Sequence, residues 1–267
     1  WTLLSMPPLA QTLALLAMAV ATVSIQVVPL DMAQKSFDDQ YLTCAHDMAK
    51  KLPELNSTEF LQNAEFAQVW PKARAAWQAW GTPVTPLSQA QAIALMICTM
   101  KDVHRQFNMA FDDEVRVARR SPQQYQDKFH FKALHFLLTD ALATLRDFEG
   151  RQCRCVFRGV DQYKFKANVG DIVRFGKFVL SLACHGDIES SQSTTVFRVS
   201  TCHSADITTL LVHPKTDVVL IPPFEQFKVT DVIEDGEKVQ IHLDSMGTYS
   251  KYNCQRLTGE DTHWGHG

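Results

Sequence analysis

The apolar positions of this chain change their period near residue 150. From about Thr58 to Arg146 they recur at threes and fours, the spacing that lines one face of an α-helix. Phe66, Trp70, Ala73, Trp77 and Trp80 make an aromatic stripe of this kind, which reads as core. Pro71 interrupts it and is expected to kink or restart the helix, because proline has no N–H to donate and its ring crowds the preceding turn. A helix start follows Arg120, with Ser121 as N-cap, Pro122 at the first helical position and Gln124 three residues after the cap. The helix it predicts carries Phe131, Leu134, Leu138, Leu142 and Leu145 on one face and is expected to be the main helix packed on the rest of the fold.

After Gly150 the pattern turns to short β-branched and aromatic runs separated by turn residues: CRCVFRGV, DIVRFGKFVLSLA, TTVFRVSTC, DVVLIPP, QFKVTDVI, KVQIHLDS and YSKYNCQRL. Asp235-Gly236 marks a tight hairpin between the fifth and sixth runs. Helices first and strands afterwards, without alternation and without an internal repeat, predict an α+β protein with an antiparallel sheet or sandwich.

Ahead of both regions lies an apolar stretch from about Leu9 to Val28 that contains no charge. Small residues at Ala19, Ala21 and Ser24 make residues 1–24 read as a signal peptide rather than a spanning helix, and the mature protein as secreted or at the cell surface. The C-terminal TGEDTHWGHG has no hydrophobic tail of the sort a lipid-anchor signal needs, so membrane attachment is expected only through an anchor beyond the sequence. In an oxidising compartment the seven cysteines are free to pair, with at least one left over. Asn56-Ser57-Thr58 is an acceptor triplet for N-glycosylation, which fits a secreted surface loop.

Composition narrows the function. The 267 residues are 46% hydrophobic, enough for a sizeable core, and 26 basic against 29 acidic residues create no field for nucleic acid. Cys153 and Cys155 form C-x-C rather than C-x-x-C, and His263 and His266 sit in a Gly-rich tail, so no metal is expected. There is no G-x-G-x-x-G, G-x-S-x-G or H-E-x-x-H. Gly170 to Lys177, GDIVRFGK, has five residues between its glycines instead of a phosphate loop's four, and Phe178 where Ser or Thr would hold magnesium. His130 and His135 lie five apart, off the i, i+4 spacing, and read as packing or surface histidines.

Six segments in order, SFDDQYLTCAHDM, FHFKALHFLLTDAL, VFRGV, RFGKF, VLIPPFEQFKV and YNC, resemble the vertebrate ecto-ADP-ribosyltransferases, the arginine-specific mono-ADP-ribosyltransferase family. The resemblance spans about Leu30 to Leu257, implying one domain over residues 30–257 and a flexible tail over 258–267. It also implies a helical N-terminal half packed on an antiparallel β-sandwich with an NAD cleft. The family splits NAD⁺ between nicotinamide and ribose and passes ADP-ribose to a protein arginine. That chemistry needs a hold on the pyrophosphate and a negative charge beside the ribose, where an oxocarbenium-like cation develops.

The resemblance assigns roles residue by residue. Arg158 in VFRGV matches the motif arginine and is expected to grip phosphate, for which a guanidinium is suited. Ser181 is the candidate for the family's serine, although the Ser-rich triplet is replaced by FVLSL. Cys98 stands at a family tyrosine and Lys177 at a glutamine near RFG, so the expected NAD⁺ walls are altered at both. In KTDVVLIPPFE, where the family has Glu-x-Glu before VLIPP, the matching residues are Thr216, Asp217 and Val218, with Val218 in place of the catalytic carboxylate. Strand alternation sends Thr216, Val218 and Leu220 to one face and Asp217, Val219 and Ile221 to the other. Loss of one preorganised charge-stabilising group costs about 3 kcal/mol or more, so activity is expected to be weak or gone. Two other readings stand beside this one. The chain could be an active arginine transferase if a bulge turned Asp217 into the site, or a non-catalytic surface binding protein. The resemblance also implies the pairs Cys44–Cys254, tying the start of the fold to its last strand, and Cys153–Cys202, leaving Cys98, Cys155 and Cys184 surplus.

Overall fold

The change of period near Gly150 is the boundary between a helical layer and a sheet. The computed structural model describes residues 25–81, 85–100, 104–118, 124–184, 192–211 and 217–255. The expected signal segment over 1–24, the Ser121-Pro122 helix start, Thr216, the His263/His266 pair and the tail over 258–267 lie outside them.

The helices are α1 (Ala45–Gln62), α2 (Ala64–Ala79), α3 (Gln89–Thr99), α4 (His104–Val117) and α5 (Lys132–Glu149). α2 begins where the Asn63 side chain accepts the Phe66 N–H at 3.0 Å, satisfying one of the donors a helix start leaves open. α3 opens with a reciprocal capping box between Ser88 and Gln91. The helix does not restart at Pro71: α2 runs through it. Phe66, Trp70, Ala73 and Trp77 are all buried along this helix, and that burial outweighs the one missing N–H.

α5 starts later than the sequence suggests, at Lys132, after a single π-helical turn over Gln124–Lys128. Its start is set by tertiary contact: the Glu59 carboxylate on α1 accepts the Lys132 N–H at 2.6 Å and the Ala133 N–H at 2.9 Å. It ends at Gly150, whose φ of +85° forms a left-handed cap. Leu134, Leu138, Leu142 and Leu145 face the core as expected. His135 is also packing: it is fully buried, with its Nδ1 3.0 Å from the Tyr41 hydroxyl.

The strands are β1 (Gln26–Pro29), β2 (Arg154–Val160), β3 (Tyr163–Lys166), β4 (Ile172–Val173), β5 (Val179–Ala183), β6 (Thr195–Thr201), β7 (Ala205–Asp206), β8 (Val218–Ile221), β9 (Glu225–Asp235) and β10 (Lys238–Thr248). β1 and β3 form a small parallel pair, and the other strands form one eight-stranded sheet in the order β4-β9-β10-β6-β2-β5-β8-β7. The architecture is α+β. Most neighbours in the large sheet are antiparallel, but β6 and β10 run parallel, which makes the sheet mixed. The Asp235-Gly236 turn joins β9 to β10, with Gly236 at φ +58°.

Two expected strands come out differently. DIVRFGKFVLSLA is split into β4, at one edge beside β9, and β5, which lies between β2 and β8. YSKYNCQRL forms no strand in its described part, so Cys254 lies beyond the last strand rather than on it. Its backbone N–H groups at Lys251, Tyr252, Cys254 and Gln255 are instead taken by the carboxylates of Asp38 and Asp39.

Two apolar cores result. One joins the helices to Phe178, Leu210 and Leu220 on one side of β5 and β8. The other gathers Val179, Val219 and Ile221 with Phe227, Val229, Ile241 and Leu243. Successive residues of β8 therefore feed opposite cores, as alternation requires.

Candidate active-site cleft

The site lies where the large sheet divides. β2 and β5 pair at only two positions, Val156 with Ala183 and Phe157 with Leu182. Beyond them Arg158, Gly159 and Val160 stay with β6, while Val179, Leu180 and Ser181 stay with β8. The gap between the parting strands is an open cleft of about 430 Å³, and its walls include Thr99, Phe157, Arg158, Ser181, Leu182 and Val218. Arg158, Ser181 and Val218, which the sequence singles out over a span of sixty residues, thus meet in one cleft.

Arg158 is exposed, and its Nη1 reaches across the gap to donate to the Leu180 carbonyl at 3.2 Å. A guanidinium carries five N–H donors, so this single bond does not use up its capacity. Ser181 is 2% exposed, and its Oγ has no hydrogen-bond partner among the described residues. An orphaned buried hydroxyl costs about 1–3 kcal/mol unless water or a ligand completes it, and the register places the Ser181 side chain on the Val219 face, opposite that of Val218. Val218 is half-buried and presents only an isopropyl group to the same space. Asp217 precedes β8 with its carbonyl accepting the Ala183 N–H at 3.0 Å, and it is Val218, not Asp217, that lines the cleft. The β5–β8 register runs from Val179↔Ile221 to Leu182↔Val218 without a shift, so no bulge is seen there.

Neither Cys98 nor Lys177 is among the residues that line the cleft; Thr99, next to Cys98, is. Lys177 Nζ pairs with Asp112 Oδ2 of α4 at 2.7 Å. Burial raises the Asp112 carboxyl above its ordinary range, against the opposing pull of Lys177 and, more weakly, Arg158. Burial, helped by the Asp112 charge, pushes the half-buried Cys98 thiol up to about 12, which keeps it an unreactive thiol. Asp112 was not singled out in the sequence. Its one signal was an acid flanking the apolar face formed by Phe107, Phe111 and Val115.

The chain carries the bridges Cys44–Cys254 and Cys153–Cys202. It carries a third, Cys155–Cys184, where two surplus thiols were expected; Cys98 alone is free. Antiparallel β2 and β5 bring Cys155 and Cys184 side by side, with the Cys184 N–H donating to the Cys155 carbonyl at 3.0 Å. This staple sits just below the point where the two strands part. The Asn56 triplet also differs from expectation. It lies in the interior of α1 rather than in a loop, with Asn56 half-buried and the Ser57 and Thr58 hydroxyls donating to the Glu54 carbonyl. Among the described residues no group of three or more His, Cys, Asp or Glu side chains could hold a metal ion, and no helix is long and apolar enough to cross a membrane.

A sheet that splits around an arginine and a serine, backed by a helical layer, defines a mono-ADP-ribosyltransferase fold. The chain belongs to the NAD:arginine ADP-ribosyltransferase family, whose pattern matches residues 30–251. It is 40% identical over 272 residues to NAD(P)(+)--arginine ADP-ribosyltransferase 2 of Gallus gallus, covering 100% of this chain and 85% of the relative. It is 39% identical to GPI-linked NAD(P)(+)--arginine ADP-ribosyltransferase 1 of Mus musculus, with 87% of this chain and 74% of that protein covered. The crystal structure of the mono-ADP-ribosyltransferase ART2.2 matches with a TM-score of 0.70 at 29% identity, over 85% of this chain and 98% of that one. A mutant of ART2.2 in complex with NAD matches with a TM-score of 0.69 at 28% identity, over the same 85% and 98%.

Proposed function

We propose that this chain is an extracellular, NAD⁺-binding member of its family in which transfer of ADP-ribose to protein arginine is weak or lost. The observation that carries the reading is Val218, an apolar residue in the cleft wall at the position matching the family's catalytic glutamate. In this reading Arg158 holds the pyrophosphate by charge-assisted hydrogen bonds. Binding of that kind needs no carboxylate. Bond cleavage does, because positive charge develops on the ribose as nicotinamide leaves, and an isopropyl group gives it no stabilisation. Asp217 does not repair the loss, since its neighbour Val218 takes the cleft-facing position in an unshifted register. The extracellular assignment draws on the signal-like N-terminus, the disulfides, and relatives named as ecto- or GPI-linked enzymes.

The test follows nicotinamide release from NAD⁺ with a guanidino acceptor, using oxidised, folded protein. The native chain is expected at background and Thr216→Glu/Val218→Glu clearly above it. Calorimetry is expected to show NAD⁺ binding by the native chain and its loss in Arg158→Ala. Robust turnover by the native chain, abolished in Asp217→Asn, would instead establish an active transferase.

A further inference from the structure

A second, mostly apolar cavity with a few polar groups in its walls lies at the opposite end of β2. Thr201, two residues before His203, pairs with Arg154, which is four residues and about 13 Å along the strand from Arg158. There Gln40, Thr139, Leu142, Arg146, His203 and Phe224 surround a pocket of about 70 Å³. That is far below the roughly 300–1,000 Å³ of sites for drug-sized ligands, but it has room for a group of a few heavy atoms.

The polar groups in its walls are poorly matched by the protein. Thr139, in the middle of α5, is 4% exposed, and its Oγ1 has no hydrogen-bond partner among the described residues. Arg146, two turns further along the same helix, donates from Nη2 to the Cys202 carbonyl at 3.0 Å, while its buried Nε is left without a partner. No ion pair compensates its charge among the described residues. Nearby Asp147 and Glu149 are committed to Arg151 and Arg154, each at 2.6 Å. Glu225, the remaining acid close by, is buried and saturated by the hydroxyls of Thr201 and Ser245 and by the N–H groups of Cys202 and His203. Glu225 and Asp147 act on Arg146 through space without contacting it, so a part-buried cation with no directly paired acid shares this pocket with an unsatisfied hydroxyl, an arrangement that a bound anion relieves. His203 reports the same positive environment. Burial first, then the charges of Arg146 and Arg151, push its imidazole down to about 4, so near neutral pH it is uncharged and keeps one ring N–H to donate. Leu142 and Phe224 supply apolar walls that strengthen each polar contact.

We infer that this pocket binds a small oxyanion, of the size and charge of phosphate or sulfate, between the Arg146 guanidinium and the Thr139 hydroxyl. The site is separate from the NAD cleft, and nothing in it depends on the reading of Val218. The experiment titrates sulfate and, separately, phosphate into isotope-labelled, disulfide-intact protein, with sodium chloride at matched ionic strength as the reference. The Arg146 Nε–H and the backbone signals of Thr139, Cys202 and His203 are followed by NMR. The expected result is saturable movement of these signals with one dissociation constant, absent with chloride and retained in Arg158→Ala. Thr139→Val, which keeps the shape of the side chain, should weaken binding by about tenfold or more, and Arg146→Met should remove it. The proposal is overturned if the shifts grow linearly without saturation, if chloride reproduces them, or if folded Thr139→Val binds as tightly as the native protein.

Discussion

Glu59 is 2% exposed, yet its carboxylate accepts two backbone N–H groups at the start of α5. Burial outweighs those bonds and the nearby Lys132 charge, raising its pKa from 4.5 to about 7. Glu114, which accepts the His130 N–H at 3.1 Å, is likewise raised to about 7 by burial. A raised carboxyl binds more protons in the folded than in the unfolded state between the two pKa values. Stability from this pair is therefore greatest below about pH 4.5 and declines as pH rises through about 7. At the Glu59 shift the decline amounts to about 3 kcal/mol. Urea unfolding of Glu59→Gln should show a flatter pH profile than the native chain across this window; parallel profiles would contradict it. At this scale Arg158 stood in a recognisable motif, Ser181 was only the one serine left where a Ser-rich triplet is replaced, and Val218 was conspicuous as the valine before VLIPP. Asp112 was not legible, because what sets its role is a lysine 65 residues away brought to it by the packing of α4.

Helix boundaries depend on single capping side chains. Removing the Asn63 acceptor in Asn63→Ala, or the Ser88 acceptor in Ser88→Ala, should each cost about 1 kcal/mol in urea unfolding, without altering NAD⁺ binding. The Ser88-x-x-Gln91 box is a local start signal whose two partners lie three residues apart. The true start of α5 was not legible in the sequence, since its cap is a glutamate from α1, 73 residues away. The division of DIVRFGKFVLSLA was hidden for a related reason. Gly176 adopts φ +64°, and a Cβ there would lie 2.3 Å from Ala33 Cβ, so the chain turns where another segment presses against it. The Ser36 hydroxyl fixes this turn by donating to the Gly176 carbonyl at 2.6 Å. Gly176→Ala combines an unfavourable backbone conformation with a clash against backbone-anchored atoms, and should destabilise by about 1–3 kcal/mol or more. It should also displace β5 and weaken NAD⁺ binding; unchanged unfolding and binding would sink that account.

At the scale of the whole molecule, the segment at residues 38–39 is joined to the segment at residues 250–255. Residues 38 and 39, the aspartates of SFDDQYLTC, were legible as letters of a motif, but their work is long-range. Asp38 pairs with the fully buried Arg174 at 2.8 Å and accepts the Lys251 N–H at 2.9 Å. Asp39 accepts the N–H groups of Tyr41 at 2.8 Å, Cys254 at 2.9 Å and Gln255 at 2.8 Å. The Cys44–Cys254 bridge locks the same junction across a sequence separation of 210. On loop-closure entropy a bridge of that span stabilises by about 5 kcal/mol, mostly by restricting the unfolded chain. The aspartate contacts act in the folded state and persist without the sulfur bond. Cys44→Ser/Cys254→Ser should therefore keep the native near-ultraviolet spectrum and NAD⁺ binding while unfolding at distinctly lower urea. Adding Asp39→Asn, which replaces a charged acceptor of three N–H groups, should release the C-terminal segment itself, seen as fast amide exchange at Cys254 and Gln255. If the double serine variant already loses its native spectrum, the bridge holds the folded junction directly, and the entropic account of it fails.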